Sequence, residues 1–288
     1  MKSNSFSQKG LLARSAALEV LQSVALGAYA DIALDRIFLK TNFSSTDKRL
    51  ITELTFGSIR RRYELDCWID KFGKLKSNKQ PPKLRWILHL GLYQILYMDR
   101  IPVSAAVNTS VELAKKGNMK NLSRVVNALL RAVSRSKKSG EGLSLPEEPS
   151  ARLAQQESLP LWIAENLILW KGIKDAQNIA RAFNRPSYFD LRINRLRSSP
   201  EEIKRDFESV FISSSLIKGC PEGLHLESGS GDLREWPGYE EGKWFVQDRS
   251  SQWVASLLAP RPGEKVLDAC SAPGGKATHI AEMMGDNG

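Results

Sequence analysis

WFVQDRSSQWVASLLAPRPGEKVLDACSAPGGKATHIAEMM, residues 244–284, holds the pattern that decides the fold of the C-terminal part. Gln247-Asp248-Arg249-Ser250 precedes an amphipathic run carrying Trp253, Val254, Leu257 and Leu258. Pro260 to Gly263 reads as a turn. Lys265-Val266-Leu267-Asp268 reads as a short buried strand ending in an acid, Cys270 to Gly275 as a small-residue loop, and Lys276 to Met284 as a helix. In this order, strand then glycine-rich loop then helix, backbone approaches a nucleotide-like ligand at the C-terminal edge of a parallel sheet. Gly274 and Gly275 lack a Cβ, so the loop can turn tightly and lie close to a ligand. Pro273 restricts it beforehand, Asp268 is placed to orient it, and the free amides opening the helix suit a carboxylate. Lys276 either assists that charge or caps the loop. A phosphate-binding loop is excluded, because Cys270 stands where its first glycine belongs and Ala277 where it needs Ser or Thr. The residues alone leave a purely structural turn open.

Upstream, Tyr188 to Leu196 alternates in part, with Phe189, Leu191 and Ile193 against Asp190, Arg192 and Asn194, and reads as a strand. Ser199-Pro200-Glu201-Glu202 reads as a helix start. Residues 151–182 read as helical. Residues 136–150, SKKSGEGLSLPEEPS, have the polar, Gly/Pro/Ser-rich composition of an exposed connection. Before it, helical runs are expected over 11–28 (Leu12, Ala16, Val20, Val24 and Ala28 at four-residue steps, Arg14 off the stripe), 47–60, 63–72, from Pro82 to Tyr97, from Val103, and over 121–134. No alternating strand pattern interrupts them, so the front is an all-helical bundle.

Charge divides the chain in the same way. Residues 1–140 hold 25 Lys and Arg against 10 Asp and Glu, a net of +15, while residues 141–288 carry −5. Arg60-Arg61-Arg62, the five lysines from Lys71 to Lys83, and the four basic residues from Arg131 to Lys138 suit phosphate neutralisation; each alone is more often an ordinary solvated helix end, and it is their sum in one domain that points to nucleic acid. Three scattered cysteines, Cys67, Cys220 and Cys270, argue against a disulfide framework and fit a reducing, cytoplasmic setting. No CxxC pair or His cluster suggests a metal, no apolar run reaches membrane-spanning length, and no secretory signal is visible.

Two resemblances sharpen this reading. LRWILHLGLYQILYMDRIPVSAAVNTSVELAKK (84–116) and VVNALLRAV (125–133) resemble the NusB-type antitermination fold, a helical RNA-binding domain that also fronts a ribosomal RNA methyltransferase family. DACSAPGGKATHI (268–280) resembles the cofactor loop of the RNA 5-methylcytosine methyltransferases, approximately D-x-C-A-A-P-G-G-K-[TS], with Ser271 for alanine and Ala277 for threonine. Residues 186–196 are similar to the "LRxN" stretch preceding that catalytic domain. Arg192, Arg195 and Arg197 are candidate phosphate contacts there, or solvated strand-edge arginines; spacing does not separate the two.

The combination resembles the small-subunit ribosomal RNA cytosine-5 methyltransferases of the RsmB/Sun/Fmu family. It implies an all-α NusB-like bundle (1–138), a linker (139–150), a small α+β pre-catalytic segment (151–241) and the start of an α/β Rossmann-like methyltransferase domain (242–288). It further implies S-adenosylmethionine as cofactor, held by Cys270, Ser271, Ala272, Pro273, Gly274, Gly275 and Lys276, and ribosomal RNA as partner. In that family a cysteine thiolate attacks carbon 6 of cytosine and a second cysteine aids release; both lie well beyond the glycine loop. The nucleophile is therefore expected beyond Gly288, none of the three cysteines is assigned to it, and no methyl transfer is expected from these 288 residues. The rival reading is a non-catalytic NusB-like RNA-binding protein.

Overall fold

The computed structural model describes residues 3–185, 188–227 and 232–288; Pro186 and Ser187, which open the "LRxN" stretch, lie outside them. The chain forms two compact units, Met1–Arg185 and Pro186–Gly288. The sequence reading puts its breaks at 138–150 and 241/242 instead, and the packing accounts for the difference.

The first unit is all helix: α1 (Ser3–Ala25), α2 (Ala30–Lys40), α3 (Ser45–Arg60), α4 (Arg62–Phe72), α5 (Pro82–Tyr97), α6 (Val103–Lys116), α7 (Ser123–Lys138), α8 (Pro149–Glu157) and α9 (Leu161–Phe183). Pro82 occupies the first turn of α5, where its missing N–H costs nothing. α5 is buried nearly all round, through Leu84, Ile87, Leu88, Leu90, Leu92 and Ile95, because α1, α3, α4, α6 and α7 enclose it. α1 differs from its expected stripe. Ala13, Ala17, Leu18, Val20 and Leu21 face the core while Leu12 is exposed. Arg14 is buried, its Nε donating to Gln94 Oε1 at 2.6 Å and its Nη1 to the Gly10 carbonyl at 2.8 Å. α2, absent from the expected helices, buries Ala33, Leu34 and Ile37 at three- and four-residue spacing.

Residues 139–148 carry no regular structure, yet the chain beyond them stays with the first unit. The Glu148 carboxylate caps α8 by accepting from the Ser150 amide at 2.9 Å. α8 then packs on α4, where Ser158 Oγ accepts from the Glu64 amide at 3.2 Å. α8 and α9 share a small core of Leu153, Ala154, Ala164, Ala176 and Ala180.

The second unit holds a four-stranded antiparallel sheet in the order β2 (Ser214–Leu216), β3 (Gly223–Leu226), β1 (Asp190–Ile193), β4 (Trp244–Val246). α10 (Pro200–Ser209) begins as expected, with Ser199 Oγ accepting from the Glu202 amide at 3.2 Å. It covers one face, where Leu191, Ile193, Ile203, Phe207, Leu224, Trp236 and Trp244 form the core. The polar alternates of β1 are buried too, giving four buried residues in a row. They carry the contacts to α11 (Arg249–Leu258) and α12 (Gly275–Met283): Asp190 binds Arg249, and Arg192 binds Gly275, Thr278 and Glu282.

One expected element is corrected. Lys265 to Asp268 carries no regular structure and pairs with no described strand, and Leu267 is 89% exposed. A strand exists only through a neighbour's ladder, and neither side of this segment has one.

Candidate functional site

The loop forms around three backbone features. Asp268 Oδ1 accepts from the Cys270 amide at 3.1 Å, a side-chain turn that aims the chain toward α12. The Ala272–Pro273 peptide bond is cis. Gly274 sits at φ +106°, a conformation that side chains rarely adopt, and serves as the N-cap of α12. No side chain caps that helix, so its first amides have no side-chain acceptor.

Cys270, Ser271, Ala272, Pro273, Gly275 and Lys276 line one cavity of about 280 Å³, together with Val246, Gln247, Asp248, Ser251 and Asp268. Gly274, with Pro273 and Gly275, borders a second cavity of about 870 Å³ walled by Arg234, Tyr239, Phe245 and Gln247. Six of the seven nominated residues thus line the smaller cavity, and Gly274 borders the larger one. A Cβ built on Gly274 meets nothing within 4 Å, so the space beside the loop is open.

The sequence reading missed what stands behind the loop. Arg192, one of the candidate phosphate contacts, has a fully buried side chain. Its Nη1 donates to Gln247 Oε1 at 3.0 Å and to the Gly275 carbonyl; its Nη2 donates to Thr278 Oγ1 at 3.1 Å and Glu282 Oε1 at 2.9 Å. With four protein acceptors and no exposure it is not a phosphate contact. Burial lowers the Arg192 pKa and raises that of Glu282, as in a pair stripped of water. Arg195 and Arg197 are exposed, and Arg197 donates to the Glu241 carbonyl at 2.7 Å. Gln247 and Asp248, read in the sequence only as preceding an amphipathic run, border the loop cavity, and Asp248 caps α11, its Oδ1 accepting from the Ser250 amide at 2.8 Å.

The cysteines do not form a nucleophilic site. Burial, with Asp70, Asp66 and Glu64 nearby, pushes the Cys67 thiol up to about 11. Burial also raises Cys220, whose Sγ lies 3.8 Å from the Arg249 carbonyl. Both are held as thiols, the unreactive form. Cys270 is exposed within the loop. Among the described residues no metal-holding group of His, Cys, Asp or Glu occurs, and no helix is long and apolar enough to cross a membrane.

Comparison with known proteins matches both ends of the chain. The NusB family matches residues 11–135, and the family described as 16S rRNA methyltransferase RsmB/F matches residues 255–288. The probable ribosomal RNA small subunit methyltransferase B of Synechocystis sp. is 43% identical over 261 residues, covering 91% of this chain and 58% of that protein. Its Bacillus subtilis counterpart is 32% identical over 289 residues, covering 96% and 61%.

Nearly the whole chain is thus similar to the front part of RsmB-type methyltransferases. It spans about 58 to 61% of the length of those two curated relatives. Its fold also resembles the crystal structure of PH0851, with a TM-score of 0.70, 21% identity, and coverage of 97% of this chain and 62% of that one.

Proposed function

We propose that this chain carries the RNA-binding front and the cofactor loop of an S-adenosylmethionine-dependent methyltransferase acting on cytosine carbon 5 in small-subunit ribosomal RNA. The observation that carries the reading is a cavity lined by six of the seven loop residues, beside an uncapped helix N-terminus that opens at Gly274. At about 280 Å³ the loop cavity falls just below the usual range for whole small-molecule sites and suits the amino-acid end of the cofactor. The first amides of α12 suit its carboxylate. When bound, the cofactor supplies an electrophilic methyl group on sulfur. The chain's own share is to orient the loop through Asp268 and to keep those amides free.

The RNA-binding share falls to the basic front. Arg124, Ala128, Arg131, Arg135 and Lys138 recur at helical spacing on the exposed side of α7. Among the described residues no carboxylate lies within ion-pair distance of these four cations. Such a ridge suits a phosphate backbone. The few unpaired cysteines fit a reducing, cytoplasmic setting.

Calorimetric titration of the chain with S-adenosylmethionine tests the cofactor half, and filter binding to small-subunit ribosomal RNA fragments at two salt concentrations tests the other. Saturable cofactor binding with steeply salt-dependent RNA binding is expected. RNA binding with no cofactor binding would favour the NusB-like, non-catalytic reading.

A further inference from the structure

We propose that Arg192 is the positioning residue of the glycine loop, setting affinity for the cofactor's amino-acid end through α12 rather than by contact. This rests on the cofactor reading above. The Arg192 side chain is fully exposed to protein and not at all to solvent, and that of Glu282 is only 7% exposed. A buried ion pair of this kind seldom stabilises a fold more than apolar residues of the same volume would. What it supplies is geometry. Gly275, Thr278 and Glu282 stand at i, i+3 and i+7, one face of α12, and a single guanidinium holds all three. Gln247, beside the end of β4, binds the same guanidinium, and its Nε2 also donates to the Gly275 carbonyl at 3.3 Å. The rotation and axial setting of α12 are thus fixed against β1 and β4 together.

The loop has few other anchors. Asp268 holds the Cys270 amide, and Thr278 Oγ1 donates back to the Gly274 carbonyl at 3.0 Å. Thr278 is itself an acceptor for Arg192, so this second anchor depends on the guanidinium. The Gly275 carbonyl is held from beneath while the amides at the helix start remain open. A lysine keeps the charge but is a point donor without the fork, and cannot span the same acceptors.

The test uses the full 288-residue chain with Arg192→Lys and, as a fold-preserving control, the apolar pair Arg192→Met with Glu282→Met. Two quantities are read: amide hydrogen exchange over 268–278, and affinity for S-adenosylhomocysteine by calorimetry. Arg192→Lys is expected to speed loop exchange at least tenfold with β1, β3 and α10 unchanged, and to weaken binding at least tenfold. The apolar pair is expected to keep the sheet protected while the loop stays fast. Unchanged loop exchange in both variants, or loosening spread evenly over sheet and loop, would overturn the assignment. Failure of the unaltered chain to bind S-adenosylhomocysteine would overturn the cofactor reading alone, since loop exchange still decides the role of Arg192.

Discussion

Two buried titratable residues respond to acid in different windows. His279, with a side chain 1% exposed, has no hydrogen-bond partner on either ring nitrogen, and Glu222 Oε2 lies 4.0 Å from its Nε2. Burial, aided by the Arg192 charge, pushes its pKa down to about 4. The unfolded chain binds that proton near pH 6.5, so the second unit is at full stability above pH 6.5 and loses roughly 2 to 3 kcal/mol as pH falls toward 4. Hydrogen exchange of β1 and β3 at pH 7 and pH 5 should show the loss, and His279→Leu should remove most of the difference. In the first unit burial opposes the Asp66 charge, but hydrogen bonds from His89 and Arg85 outweigh it and hold the carboxyl at about 2. This stabilisation is present above about pH 4 and disappears as pH falls through 2. Asp66→Asn should therefore cost about 2 kcal/mol at neutral pH and flatten the acid limb of urea unfolding; an unchanged acid limb would refute the pairing. At Gly274 the φ of +106° and the open space make a single prediction. Gly274→Val strains the turn and puts two methyl groups where the ligand lies, so cofactor affinity should fall at least tenfold by calorimetry while melting of the helical unit is unchanged.

At the scale of elements, α7 carries the prediction for RNA. Changing Arg124, Arg131 and Arg135 together to Glu leaves the buried face of Val126, Leu129, Leu130 and Val133 intact. Helicity should persist, RNA affinity should fall at least tenfold, and the slope of log affinity against log salt should shrink by about 2 to 3. A slope identical to the unaltered chain would show that RNA binds elsewhere. The elements also show what the sequence could and could not disclose. α5 and α10 were legible because proline and Ser199 mark their starts and apolar spacing marks their faces. The loop was legible because its glycines and proline act locally. β2 and β3 were not: SSL and GLHL are short, and they become strands only by pairing with each other and with β1. Lys265 to Asp268 is the converse case, a convincing strand pattern without a partner. Arg192 was misread for a related reason. An alternating polar residue is expected to face water, and nothing near residue 192 announces that helices from some sixty and ninety residues later will cover it.

For the whole molecule, the division at Arg185 rather than in the polar stretch 139–148 has a stability consequence. α8 covers part of α4, and Gln155 Nε2 donates to the Ser144 carbonyl at 2.9 Å, pinning the connection itself. A fragment of residues 1–138 should fold as a helical bundle but melt below a fragment of residues 1–185, by roughly 2 to 4 °C for each kcal/mol lost. Equal melting temperatures by circular dichroism would mean that α8 and α9 add nothing to the bundle.

The Arg192–Glu282 bridge joins residues ninety positions apart. On the ribosome, at about 5 to 20 residues per second, the centre of the sheet is made roughly 5 to 20 s before the helix that neutralises it. Throughout that interval the guanidinium has no carboxylate partner, and although α10, β3 and β4 already flank β1, the face that carries Arg192 lacks its cover. The helical unit, whose main core runs from Leu11 to Val133, is under no such delay. Synthesis therefore sets a schedule: the front of the chain matures while the second unit waits for α12 to leave the exit tunnel.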